Sequence, residues 1–140
     1  MVSKICDLPE GYVPSDSEEF MNDFQREYFR RKLEKWKQDL LQENESGLKS
    51  LQEEFDLGTD VADQASTEAD VSYELRTKER IRKLLVKIDD ALARIQNGTY
   101  GFCKETGEPI GLKRLEARPV AMLSIEAQTR HELAEKLKKG

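Results

Sequence analysis

A chain of 140 residues with a formal net charge of -5 and a sequence pI near 5.1 lacks the basic face needed to coat nucleic acid or an anionic membrane. Hydrophobic residues make up 37% and charged residues 36%, too few apolar side chains for one spherical core but enough for a two-helix seam with a small globular unit. No run approaches the ~20 apolar residues of a membrane span. The N-terminus has no signal-peptide apolar region, so the chain is expected in the cytoplasm, with Cys6 and Cys103 as reduced thiols.

In chain order, residues 1–15 carry Pro9, Gly11 and Pro14 and read as a flexible N-terminal tail or strap. Ser15 or Ser17 then offers an N-cap, with Asp16, Glu18 and Glu19 favouring the positive end of a helix dipole. Phe20, Phe24, Tyr28, Leu33, Trp36, Leu40, Leu48, Leu51 and Phe55 follow at spacings of mostly threes and fours, which predicts one amphipathic helix over 16–55. Such a helix extends about 60 Å at ~1.5 Å per residue. Leu57, Gly58 and Thr59 interrupt the pattern. A second helix is expected from Val61 or Ala69 to Asn97, with Leu75, Ile81, Leu84, Leu85, Ile88, Leu92 and Ile95 as its buried stripe and Asn97 and Gly98 as its stop signal. A short connection makes the two helices pack antiparallel, so 16–97 reads as a helical region and coiled-coil hairpin with its tip at about 57–68.

Residues 98–140 form the small domain. Three glycines and one proline in 100–111 predict tight turns or a two-stranded ribbon. A local element follows over 112–116, broken near Pro119, and Ser124 precedes a last helix over 125–138. Packing of Tyr100, Phe102, Ile110, Leu112, Leu115, Met122 and Leu123 is expected to hold this unit together. The fold class is mainly α: a long antiparallel two-helix coiled-coil hairpin with a small finger-like globular domain and a C-terminal helix.

The tip run Asp60-Val61-Ala62-Asp63-Gln64-Ala65 places two carboxylates where the hairpin reverses. Residues 50–75 contain no Lys or Arg but hold Glu53, Glu54, Asp56, Asp60, Asp63, Glu68, Asp70 and Glu74. Arg76, Lys78, Arg80, Arg82, Lys83 and Lys87 follow at once, opposed only by Glu79. The hairpin is therefore electrically polar along its length. Asp60 and Asp63 at i, i+3 share a helix face and suit Mg²⁺, but two carboxylates need a further ligand from a partner or substrate to hold it tightly. Ala62 and Ala65 keep the tip narrow, as a probe entering a confined opening requires.

Cys103-x-x-Thr106 and Ser124-x-x-Ala127 have the spacing of a four-ligand zinc site in which only the first position can bind the ion. The lone His131 has no evident second donor. Cys103 has no His or second Cys placed as a catalytic partner and reads as a structural thiol. No phosphate-cradling glycine loop, Ser-His-Asp order or helix-borne His pair is present, and no enzyme activity is expected.

Four segments together resemble the bacterial DksA family of RNA polymerase-binding transcription regulators. They are Tyr28-Phe29-Arg30-Arg31-Lys32-Leu33, the tip run, Tyr73-Glu74-Leu75-Arg76, and Ile110-Gly111-Leu112-Lys113-Arg114-Leu115-Glu116-Ala117-Arg118-Pro119. The resemblance spans residues 20–140. It implies a coiled coil that enters the polymerase secondary channel, shortens the life of the promoter open complex and acts with the nucleotide ppGpp in the stringent response. It implies that Asp60, Asp63 and Ala65 meet the catalytic region, that Arg80 touches the channel rim, and that Leu84, Lys87 and Arg118 hold ppGpp at the junction with polymerase. Gln128 stands where the family usually has Lys in that ppGpp site. Most members carry four cysteines where this chain has Cys103, Thr106, Ser124 and Ala127, so it resembles a variant of the finger that folds without zinc. The expected protein is a monomer whose partners are RNA polymerase and ppGpp, with no sequence-specific DNA contact and no membrane.

Two other readings use the same features. A transcript-cleavage factor of the Gre type also presents acidic residues on a coiled-coil tip, although as adjacent pairs on the turn rather than at the Asp60/Asp63 separation. A coiled-coil adaptor or holdase would show an apolar hairpin end, where this one is acidic.

Overall fold

In the computed structural model, residues 3–56 and 61–139 are described, with side chains over 3–45 and 68–138. Four α-helices follow in order: α1 (Asp23–Asp56), α2 (Val61–Asn97), α3 (Leu112–Ala117) and α4 (Ile125–Lys139). No described helix is long and apolar enough to cross a membrane. The chain divides into two compact units, Met1–Leu33 with Asp89–Gly140, and Glu34–Ile88. The first therefore draws on both ends of the chain and contributes the start of α1 and the end of α2.

α1 begins seven residues later than its apolar pattern predicts. Ser15 and Glu18 do cap one another, with Glu18 N–H donating to Ser15 O at 3.2 Å and Ser15 N–H to Glu18 Oε1 at 3.1 Å. That turn does not propagate, because Met21 adopts φ 57, the left-handed conformation that ends a helical run. Asn22 restarts it: its Oδ1 accepts from Gln25 N–H at 2.9 Å, and Gln25 Oε1 accepts from Met21 N–H at 2.7 Å, a reciprocal cap shifted by one residue. The register moves with it. Phe29 and Leu33 are fully buried, whereas Phe24 is 41% exposed and Tyr28 half-buried.

Residues 3–15, expected as a tail, contain no helix and are tied to α1. Ile5 N–H donates to Glu27 Oε1 at 3.0 Å, and the Cys6 thiol to Asp23 O at 3.4 Å. The Tyr12 ring meets Phe24 in a tilted contact at 5.7 Å and Tyr28 edge-on at 6.3 Å, and its hydroxyl donates to the Glu18 carboxylate. Both cysteines are free thiols.

Within this unit the ends of the long helices run antiparallel, since Arg26 near the start of α1 donates from Nη2 to the carbonyl of Ile95 near the end of α2. Phe29, Leu33, Leu92, Ile95, Tyr100 and Leu115 form its centre, each worth about 1.5–3 kcal/mol when removed from water. The Phe29 and Tyr100 rings meet at 5.7 Å. Of the finger side chains expected to pack, Ile110, Leu112 and Leu115 are buried, Phe102 and Leu123 half-buried, and Met122 is 36% exposed. The expected ribbon reduces to a single bridge between Phe102 and Pro109, flanked by Cys103 N–H to Glu108 O at 2.7 Å and Ile110 N–H to Gly101 O at 2.7 Å.

Gly101 seals the finger against the N-terminal segment. Its φ is +90, and a Cβ there would lie 2.8 Å from Met21 Cγ and 3.3 Å from the Phe20 ring. Gly101→Ala is expected to destabilise the protein by about 1–3 kcal/mol in urea unfolding, through left-handed strain and displacement of Met21.

In the unit Glu34–Ile88, Leu40, Ile81 and Ile88 are buried, Leu84 and Leu85 half-buried, and Leu75 is 56% exposed. The predicted stripe on α2 therefore holds from Ile81 onward and does not extend to Leu75, where the described surface also exposes Tyr73.

Candidate functional site

The tip reads differently residue by residue. Asp60 lies outside the described residues, while Asp63 and Ala65 belong to α2 with side chains outside them. The charge reversal next to the tip is carried by one continuous helix. Glu68 and Asp70 are exposed on α2, followed by exposed Arg76, Arg80, Arg82, Lys83 and Lys87. Glu79 is engaged by Arg82 at 2.6 Å. Arg80 is exposed and makes no ion pair among the described residues.

Leu84, half-buried, and Lys87, exposed, lie in the unit Glu34–Ile88, whereas Arg118 and Gln128 belong to the other. Arg118 ends α3, with its N–H donating to Arg114 O at 2.8 Å and its side chain exposed. The backbone on either side of it is held. Lys32 Nζ donates to the carbonyl of Glu116 at 3.0 Å and to its carboxylate, while Tyr100 OH donates to Pro119 O at 2.7 Å. Burial pushes the Glu116 carboxyl up, but Lys32 and Tyr28 together hold it below the usual range. The Tyr28 hydroxyl is pushed up to about 12 by burial and by its bond to Glu116. An exposed arginine on a fixed backbone is suited to recognising an anion. No hydrogen bond joins Arg118 to Gln128, whose Nε2 donates to Glu132 at 3.2 Å.

The finger positions have each taken a non-metal role. Cys103 is buried at 3% exposure. Burial pushes its thiol up, yet hydrogen bonds from the Thr106 hydroxyl and from the N–H groups of Ser124, Thr106 and Glu105 outweigh it and bring the value down to about 6. Thr106 Oγ1 also accepts from Glu108 N–H at 3.3 Å. Ser124 is the N-cap of α4, its Oγ accepting from Ala127 N–H at 3.2 Å and its carbonyl from Gln128 N–H at 2.9 Å. Ala127 is fully buried. One thiol, two hydroxyls and a methyl do not supply the four Cys or His ligands of structural zinc. No group of three or more His, Cys, Asp or Glu is assembled among the described residues. The residues present do not fit the ion.

Sequence reasoning missed a fully buried carboxylate, Glu27. Glu27 is fully buried and receives Arg30 Nε at 2.7 Å, Arg31 Nε at 2.6 Å and the Ile5 N–H. The signal was present, since Arg30 and Arg31 stand at i+3 and i+4 from it.

Residues 25–95 match the family described as DnaK suppressor protein DksA, N-terminal domain, and residues 98–133 match the prokaryotic dksA/traR C4-type zinc finger. The chain belongs to the DksA family. An RNA polymerase-binding transcription factor DksA from Caulobacter vibrioides is 55% identical over 126 residues, covering 90% of this chain and 89% of the relative. The DksA protein of Escherichia coli K12 is 39% identical over 131 residues, covering 94% and 87%. Among solved structures, transcription factor DksA2 from Pseudomonas aeruginosa superposes with a TM-score of 0.79 at 43% identity, covering 88% of this chain and 93% of that one. The DksA assignment thus rests on both the hairpin segment and the finger, even though the finger here retains only Cys103 of the four cysteines its family description names.

Proposed function

We propose that this protein is an RNA polymerase-binding regulator of transcription initiation that acts by contact and performs no chemistry of its own. The observation that carries this reading is 55% identity, over 90% of the chain, to a relative named for polymerase binding. The finer reading takes its support from charge. An acidic hairpin end entering the secondary channel toward a Mg²⁺-dependent active centre competes for cation coordination or displaces catalytic loops, and the basic stretch 76–87 adheres to an acidic rim through Arg80. Asp60, Asp63 and Ala65 act at the tip. Leu84, Lys87 and Arg118 hold ppGpp together with polymerase, and Gln128, lacking the usual lysine charge, weakens that response relative to members that retain it. The protein works in the cytoplasm as a monomer. Pulldown of core RNA polymerase, followed by initiation assays with and without ppGpp, tests the reading. Capture of polymerase with promoter-dependent inhibition is the expected result, and failure to bind core enzyme would refute it.

The finger is proposed to fold without zinc. Metal analysis of the purified protein is expected to find far less than one zinc per chain, and a chelator should leave its thermal unfolding unchanged. One zinc per chain would overturn this.

A further inference from the structure

The helix that delivers Arg118 is short: α3 has six residues. A helix of that length is not stable alone in water, and its last carbonyls need donors from elsewhere. Leu112 and Leu115 anchor its inner face in the core. Its end is fixed by other means. Arg118 N–H closes the last turn onto Arg114 O, and the chain then leaves the helix at φ -141 and ψ 86, outside the helical region that Pro119 disfavours for the residue before it.

The orphan carbonyl of Glu116 is taken by Lys32. Phe29 and Leu33, three residues before and one after Lys32 on α1, are fully buried, which fixes the base of its side chain. A lysine in such a place ordinarily turns its ammonium to water. This one, 33% exposed, donates instead to the Glu116 carbonyl at 3.0 Å and to the Glu116 carboxylate, and lies 6.0 Å from the centre of the Tyr28 ring. An ion pair near the surface contributes little to stability by itself. One whose cation also holds a main-chain carbonyl fixes where the backbone runs.

On the far side of Arg118 the Pro119 carbonyl is held by Tyr100, a core residue at 2% exposure. Lys32 is a grip on the same segment from outside the core. It also neutralises Glu116. Left without a counterion, that carboxylate, two residues before Arg118, would attract the guanidinium and repel an anion approaching it. Arg118 is exposed and makes no ion pair among the described residues.

We propose that Lys32 is a positioning residue for Arg118: it fixes the backbone that carries the arginine and neutralises the carboxylate that competes for it, so that Arg118 is presented to an anion. The proposal rests on the role given to Arg118 toward ppGpp. Initiation assays with purified polymerase and saturating protein test it, read as the ppGpp concentration that gives half of the maximal effect. Lys32→Met, which keeps the length of the stem, is expected to raise that concentration about tenfold, as loss of one well-aligned contact implies. Lys32→Arg, which keeps a cation within reach of Glu116, should stay within about threefold of wild type. Glu116→Gln alone should change the value by less than about twofold, yet added to Lys32→Met it should bring the value back to within about threefold of wild type, the non-additivity of residues that act through one another. A lysine that served only stability, or that touched the ligand itself, would not be rescued in this way. Arg118→Ala is the control and should lose the response. If Arg118→Ala loses it while Lys32→Met responds like wild type, the proposal is overturned and the role of Arg118 stands. Additive effects of Lys32→Met and Glu116→Gln would overturn it as well, and a wild-type response from Arg118→Ala would remove both the proposal and the role on which it rests.

Discussion

Glu27→Gln is expected to destabilise the protein by about 3 kcal/mol at neutral pH, the cost of leaving two guanidinium groups beside a buried site without their counterion. Burial alone pushes the Glu27 carboxyl up, but hydrogen bonds from Arg30, the Ile5 N–H and Arg31 outweigh burial and lower it from 4.5 to about 2. At about 1.4 kcal/mol per pH unit, a depression of that size also corresponds to roughly 3 kcal/mol. The sign follows from the direction. A carboxyl whose folded value lies below its unfolded one stabilises the fold above the unfolded value, and the contribution disappears as pH falls toward the folded one. Urea unfolding of wild type and variant should therefore differ most at pH 7, converge as pH drops from about 4.5, and nearly coincide by about pH 2. Because the Ile5 N–H loses part of its acceptor, the variant should also be cleaved faster by protease within residues 3–15. A constant difference across that pH range would show that Glu27 acts through packing rather than charge.

Asp63→Asn carries the largest expected functional effect: loss of at least about tenfold in regulation of initiation, with affinity for polymerase changed by less than about twofold. Asparagine keeps the shape of the side chain and removes the negative charge, so a contact that works by competing for a cation fails while the basic stretch on α2 continues to bind. Arg80→Ala should show the converse, weakening association and its salt dependence while leaving regulation intact at saturating protein. Competition between the two variants in one purified transcription assay separates the roles. If Asp63→Asn regulates like wild type, the acidic tip does not act through charge. A transcript-cleavage activity toward a stalled complex, lost in Asp63→Asn, would place the protein with the cleavage factors instead.

Much of the helical fold could be read in the sequence because its signals are local. The three- and four-residue spacing ends α1 at the residue after Phe55, and the Asn97 and Gly98 stop marks the end of α2. Ser124 as a cap places the start of α4. What escaped the reading depends on contacts distant in sequence. The helix start at Asp23 turns on a left-handed Met21 that Gly101 makes room for, eighty residues further on. Phe29, not Tyr28, faces the core because Tyr12 from the N-terminal segment covers Tyr28. The small domain read as 98–140 is compact only together with residues 1–33 and 89–97, a grouping that a linear pass along the chain does not show.

The candidate site divides along the same line. Its charge pattern is one-dimensional, so the reversal between Glu74 and Arg76 is legible in the sequence itself. The loss of zinc ligands was equally plain from Thr106, Ser124 and Ala127. What replaces the ion was not: a cap from Ser124, a hydroxyl from Thr106 and backbone N–H groups converging on Cys103 arise only once the finger is folded. The hold of Lys32 on Glu116 and of Tyr100 on Pro119, on either side of Arg118, was hidden for a similar reason, since 84 residues separate Lys32 from Glu116.

Site-specific crosslinking tests the central claim most directly. With a photo-crosslinking amino acid in place of Val61, at the start of α2, the protein bound to purified core RNA polymerase is expected to crosslink to the subunit that carries the catalytic Mg²⁺, close to its metal-binding loop. Crosslinks confined to the outer surface of polymerase, or none from Val61 while a probe at Arg80 reacts, would contradict it.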